Sequence, residues 1–145
     1  MPREFRKPGV AFQYPDNWVL DEQDWAGDEP AVTVFSPGGA FWVVSVHPRT
    51  SEPDRLAQTA VEAIQAEYEG VDVEPVEEDL EGHLMTGFDL RFFFMDLTNT
   101  ATVRCLRGPA ATYTVFCQAE DREYEQVRAV FQAMTVSLLR DSLGP

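Results

Sequence analysis

The sequence predicts an α+β fold: a central, mostly antiparallel sheet of about six strands with helices packed on both faces. Three observations carry that prediction. Segments with period-two alternation are joined by turn-sized connections, which suit antiparallel neighbours. Only two segments, beginning near Asp54 and Asp121, switch to the three- and four-residue period of a helix. The 145 residues are enough to bury a core without metal or disulfide staples, so one domain spanning 1–145 is expected.

Taken in order, residues 1–8 are basic and are expected to form a flexible arm. Val10, Phe12 and Tyr14 alternate along a first strand, which Pro15-Asp16-Asn17 breaks before Trp18-Val19-Leu20 resumes extended chain. Asp21 to Pro30, acidic and holding Gly27 and Pro30, should be a loop. The runs Ala31–Phe35 and Ala40–Val46, joined by Ser36-Pro37-Gly38-Gly39, give the strongest hairpin signal. The second run is apolar on both faces and should be covered from both sides.

From Asp54 to Glu69 the apolar residues Leu56, Ala60, Ile64 and Tyr68 fall at steps of four, and Gly70 closes this helix. Val71–Val76 is a short strand that Pro75 either ends or places at an edge. After an acidic turn, Glu77 to Gly82, the longest extended segment runs from His83 to Leu97, with Phe88, Leu90, Phe92 and Phe94 on its core face. Thr98-Asn99 should turn the chain, and Gly108-Pro109-Ala110 should turn it again. A last helix from about Asp121 to Leu139 has Asp121 as its N-cap, and residues 140–145 form a tail.

Eleven bases against 25 acids give a net charge of −14. Such a field repels phosphate backbones, so nucleic acid and anionic membranes are disfavoured as partners; a basic protein surface or a cation is the remaining electrostatic hint, and acidity as a solubility device is the stronger reading. No segment approaches the roughly 20 apolar residues that cross a bilayer, and no secretory h-region follows the N-terminus. Cys105 and Cys117 flank the Gly108-Pro109-Ala110 turn offset by about four residues, roughly 13 Å along the strands, too far for a disulfide. Free thiols and a cytoplasmic location follow as expectations.

Catalytic and metal signatures are missing from the sequence. His47 and His83 lack helical ligand spacing and read as strand-end polar residues, so no metal site is expected. No glycine-rich phosphate loop, nucleophile elbow or cofactor fingerprint occurs, so no cofactor and no enzyme activity are expected. The candidate binding residues are Asp21, Glu22, Asp24, Trp25, Asp28 and Glu29. Five carboxylates around one Trp would present an aromatic anchor to a basic partner or hold a hard cation, although their spacing is not that of a calcium loop. The alternative, a solvated loop with Trp25 folded back on the sheet, is the favoured one.

The stretch Phe12-Gln13-Tyr14-Pro15-Asp16-Asn17-Trp18, the hairpin at Pro37-Gly38-Gly39, the helix after Asp54 and the closing Phe131–Leu138 segment together resemble the PsbP-like superfamily. That superfamily takes in PsbP, the Ran-binding Mog family and DcrB-like bacterial proteins. The resemblance implies an antiparallel sheet between helices, and binding roles rather than catalysis. The leading expectation is therefore a small binding or adaptor protein, monomer or homodimer, that holds a protein partner by a sheet face or the acidic loop. Two alternatives compete with it. One is a ligand carrier or enzyme with a cavity between sheet and helix, lined by Phe93, Met95, Trp42 or His47. The other, weaker one is a divalent-metal module.

Overall fold

The alternating segments and the two helical stripes fold as a layered α+β structure, seen here in a computed structural model that describes residues 1–144. The order is β1 (Arg3–Lys7), β2 (Val10–Tyr14), β3 (Val19–Asp21), β4 (Ala31–Phe35), β5 (Phe41–His47), α1 (Pro53–Glu67), β6 (Asp72–Leu80), β7 (His83–Phe94), β8 (Leu97–Arg107), β9 (Thr112–Glu120) and α2 (Asp121–Leu138). Seven strands form one sheet, ordered β3-β4-β5-β9-β8-β7-β6, while β1 and β2 pair as a separate hairpin. The expected sheet of about six strands is thus met by one of seven, with the β1–β2 hairpin outside it.

Alternation decides what each face does. Trp42, Val44, Val32, Val34, Val115 and Cys117 point to the side covered by α2, whose Phe131, Met134 and Leu138 complete that core. Leu90, Phe92, Ala101, Val103 and Cys105 point the other way, toward Ala57 and Val61 of α1. Trp42 is fully buried, and its Nε1 donates to Thr135 Oγ1 of α2 at 3.0 Å, which satisfies its one polar atom. α2 begins over the β4–β5 turn, where Ser36 Oγ donates to the Glu123 carboxylate at 2.6 Å. A side chain at Gly38 would push that carboxylate aside and disturb its bond to Ser36. The N-cap of α2 is Glu120, whose carboxylate accepts from Arg122 N and Glu123 N. Asp121, the expected cap, instead accepts from Arg91 and Thr100.

Four further expectations are corrected. The basic arm is β1, paired along its length with β2, because Phe5 alternates inward and stacks on Phe12 at 5.3 Å. The C-terminal tail is held too: α2 loosens into a π-helical turn, Leu139–Leu143, in which Leu139 is buried and Ser142 Oγ donates to Ala11 O at 3.0 Å. The final residue, position 145, lies outside the described residues. The turn after β7 falls at Met95-Asp96 rather than Thr98-Asn99, which leaves Phe94 at the strand end and largely outside the core. β6 runs on to Leu80, so the acidic turn shrinks to Glu81-Gly82. Pro75 sits in this strand because β6 is an edge, where a missing N–H costs no ladder bond.

The prediction that follows concerns β1. Phe5→Ala should lower stability by about 3 kcal/mol in guanidinium denaturation, the cost of emptying a buried aromatic site. A mobile arm would show no change.

Candidate functional site

The acidic loop between β3 and β4 is shaped by short local bonds. Asp21 accepts from Gln23 N at 3.0 Å, and Trp25 N donates to Glu22 O at 3.1 Å. Glu22 faces Lys7 of β1 at 3.8 Å. Trp25 folds back, edge-on to Phe5 with ring centroids 5.4 Å apart, so it serves the core beneath β1 rather than standing free as an anchor. Asp24, Asp28 and Glu29 are exposed and border a shallow cavity of about 420 Å³ with Ser45 and His47. Glu29 lies 3.7 Å from His47 Nδ1, and His47 Nε2 is 3.0 Å from Thr114 Oγ1. Among the described residues no three His, Cys, Asp or Glu side chains converge to hold a metal ion.

That loop borders a surface that sequence alone did not reveal. α1 packs on β7, β8 and β9, and does not reach across to β3, β4 and β5. On those three strands the positions facing the α1 side are Val19 and Asp21, Ala31, Thr33 and Phe35, and Phe41, Val43 and Ser45, as the register Val19↔Phe35↔Phe41 and Asp21↔Thr33↔Val43 requires. Val19 is 65% exposed and Phe35 37% exposed. Phe116 packs against the α1 core, Phe41 lies 6.0 Å from it, and Phe35 lies 6.1 Å from Phe41, so an aromatic ladder runs from core to solvent. β5 is therefore fully covered on one side and half-buried on the other, against the expectation of cover on both. The signal available was Thr33 and Ser45, polar positions interrupting the outward row of otherwise apolar strands.

On the α2 side the uncovered strands are the opposite ones. There β6, β7 and β8 carry a polar cleft of about 270 Å³ against α2, lined by Glu78, Asp89, Thr102, Arg104, Tyr124 and Arg128 among others. Arg104 occupies its floor. Its Nε donates to Glu78 at 2.6 Å, one terminal nitrogen donates to Asp89 at 2.7 Å, and the other donates to the Phe88 and Val103 carbonyls. Burial works against its charge, but the bonds to Glu78 and Asp89 outweigh that and hold its pKa above the ordinary value. Gly87 lies opposite Arg104 in the ladder, and a Cβ there would collide with the Val103 carbonyl that Arg104 binds. None of Phe93, Met95, Trp42 or His47, the side chains expected to line such a cavity, is part of this cleft.

Both cysteines are free and buried. The register places Cys105 opposite Thr114 and Cys117 opposite Thr102, an offset of three residues rather than the expected four. Burial pushes the Cys117 thiol up to about 12 and raises Cys105 as well, so neither is a nucleophile.

No family model matches the sequence, and no curated protein is significantly similar to it. Solved structures do match the architecture. Cyanobacterial PsbP (CyanoP) from Synechocystis sp. PCC 6803 aligns over 94% of this chain and 90% of its own at a TM-score of 0.63 and 13% identity. PA94 from Pseudomonas aeruginosa, a protein of unknown function, aligns over 94% and 95% at 0.58 and 12%. The Saccharomyces cerevisiae Ran-binding protein Mog1p aligns over 99% and 92% at 0.54 and 10%. The fold is the PsbP-like fold, as the resemblance implied. Identities this low establish shared architecture and no shared activity.

The cysteines generate a prediction with a defined pH window. The unfolded thiol ionises near 9.0 while folded Cys117 keeps its proton to about 12. Its contribution is therefore full below pH 9 and is lost as pH rises from 9 toward 12. Denaturation midpoints measured from pH 8 to 11 should fall less steeply for Cys117→Ala than for the wild type. At pH 8 neither thiol should react with Ellman's reagent until denaturant is added.

Proposed function

We propose that the chain is a non-catalytic binding protein that holds another protein on the half of its sheet that α1 leaves uncovered. One juxtaposition carries this reading: the apolar patch of Val19, Phe35, Phe41 and Val43 is bordered by the carboxylates of Asp21, Asp24, Asp28 and Glu29. A central apolar patch with a charged rim is the anatomy of a protein interface. The partner that fits is one presenting an apolar segment flanked by Lys or Arg, because the rim is acidic and the chain carries −14 overall.

The loop residues keep a role in this reading, but not the one Trp25 would have given them. They form the rim, while the strands supply the contact surface. The use of the same fold by Mog1p, a Ran-binding protein, is in keeping with a protein partner. The polar cleft does not favour a ligand carrier or an enzyme. Arg104 already satisfies the Glu78 and Asp89 carboxylates within it, which leaves those groups no need of a ligand.

Affinity purification with the tagged chain should recover a stoichiometric partner that Phe35→Asp loses. Val19 and Phe35 are the exposed members of the patch, so Phe35→Asp and Val19→Asp should keep the native circular dichroism, with Val19→Asp leaving the melting temperature least changed. Each should weaken the isolated partner's Kd at least tenfold, and raising salt from 50 to 500 mM should weaken wild-type binding further. Recovery of no partner, or of one indifferent to both substitutions, would refute the proposal.

A further inference from the structure

We propose that the tip of the β7–β8 hairpin is a second anchor, which seats in an apolar socket of the partner protein whose rim carries Lys or Arg. It rests on the protein-binding reading above but uses a separate surface. Phe93, Phe94, Met95 and Leu97 are 69%, 44%, 78% and 41% exposed, a concentration of bare apolar side chains at the end of one hairpin. Phe94 and its ladder partner Leu97 share one face of the hairpin and Phe93 takes the other, so the tip is apolar on both sides, unlike the singly scattered apolar residues of an ordinary surface.

The two turns that end β7 show that this tip is not shaped for stability. Both put two successive residues at positive φ, the geometry for which glycine or asparagine is suited. At the β6–β7 turn these are Glu81 and Gly82, tethered by Asp79, which accepts from Gly82 N at 3.1 Å, and by Arg140, which donates to Glu81. At the β7–β8 turn they are Met95 and Asp96, with φ of 53° and 61°, and Met95 projects into solvent. A strained turn that displays a large apolar side chain gives up stability, which points to use of that side chain. The base of the tip is firm: Tyr68, just past α1, lies edge-on to Phe94 at 5.7 Å and stacks on Phe92 at 4.5 Å.

Charge selects the occupant. Glu67 and Glu69 flank Tyr68, Asp96 sits in the turn, and all three are exposed. Arg91, further down β7, is engaged by Asp121 at 2.9 Å. A second copy is a poor occupant: four side chains supply only part of the ~800 Å² per partner of a stable dimer, and pairing two tips would oppose these carboxylates to their own copies. An anionic membrane is disfavoured by the same rim. A socket with a basic rim satisfies both features.

The test places a photo-crosslinking amino acid at Met95, identifies the protein captured from native lysate, and measures the purified partner against defined variants. The double substitution Met95→Asn, Asp96→Gly gives the turn its preferred residues. It should raise Tm by about 2–6 °C while weakening the partner's Kd at least tenfold. Phe93→Ser should weaken binding similarly with little change in Tm. A purely structural hairpin would gain Tm and keep its affinity, which would overturn the proposal. Loss of binding in Phe35→Asp but not in the tip variants would leave the function above standing and remove the tip. Failure to bind any partner through either surface would remove both. The proposal would also fall if sedimentation showed a wild-type dimer that the tip variants dissolve, or if phosphatidylcholine vesicles floated the wild type and not the variants.

Discussion

A helix is about 10–12 Å across and strands are spaced about 4.8 Å, so one helix shields two or three strands of a sheet. This sheet has seven, and the chain has two helices to place on it. Coverage is the constraint from which the rest of the structure follows. On one side α2 takes the centre of the sheet, and the β1–β2 hairpin extends the cover, with Phe12 packed 4.7 Å from Trp42. On the other side α1 works alone, over β7, β8 and β9. The two bare areas therefore lie at opposite ends of the sheet and on opposite faces.

The chain deals with its two bare areas differently. Under the free part of the α2 face, Arg104 binds two carboxylates and two carbonyls, so the surface there is polar and its charges are matched. Beside α1 the strands keep their apolar residues, and Phe35 and Phe41 continue the aromatic row from the core outward. The edges offer no alternative route to association. β6 is crowded with acids and interrupted by Pro75, and β3 is three residues long, both of which blunt pairing with another sheet. Under the proposed binding role, recognition falls to side chains on a face and at a hairpin tip.

Much of this architecture was legible in the residues. The stripe Leu56, Ala60, Ile64, Tyr68 and the Ser36-Pro37-Gly38-Gly39 turn specify α1 and the β4–β5 hairpin through local rules, and both appear where those rules place them. What was not legible depends on distant partners. Phe5 looks like one apolar residue in a basic arm until Phe12 and Trp25 are brought beside it. Ser142 reads as tail until Ala11 is its neighbour. The apolar outward row of β5 signals burial in any sequence pattern, because periodicity reports that a face is apolar and not whether a helix reaches it. The candidate site was legible in the same partial way: the favoured reading of Trp25 as folded back on the sheet is what the structure shows, but the apolar surface the acidic loop borders was assigned to the core.

The central claim is that α1 leaves the β3–β5 face only partly covered in the free protein, with Val19 and Phe35 exposed, and paramagnetic relaxation by a soluble gadolinium chelate tests it most directly. The Val19 methyls and the Phe35 ring should relax strongly and the half-buried Val43 methyls to an intermediate degree, while Val32, Val34 and Val44, on the same strands but the opposite side, should be protected. Equal protection of the two sets would mean that the face is covered, and would contradict the account.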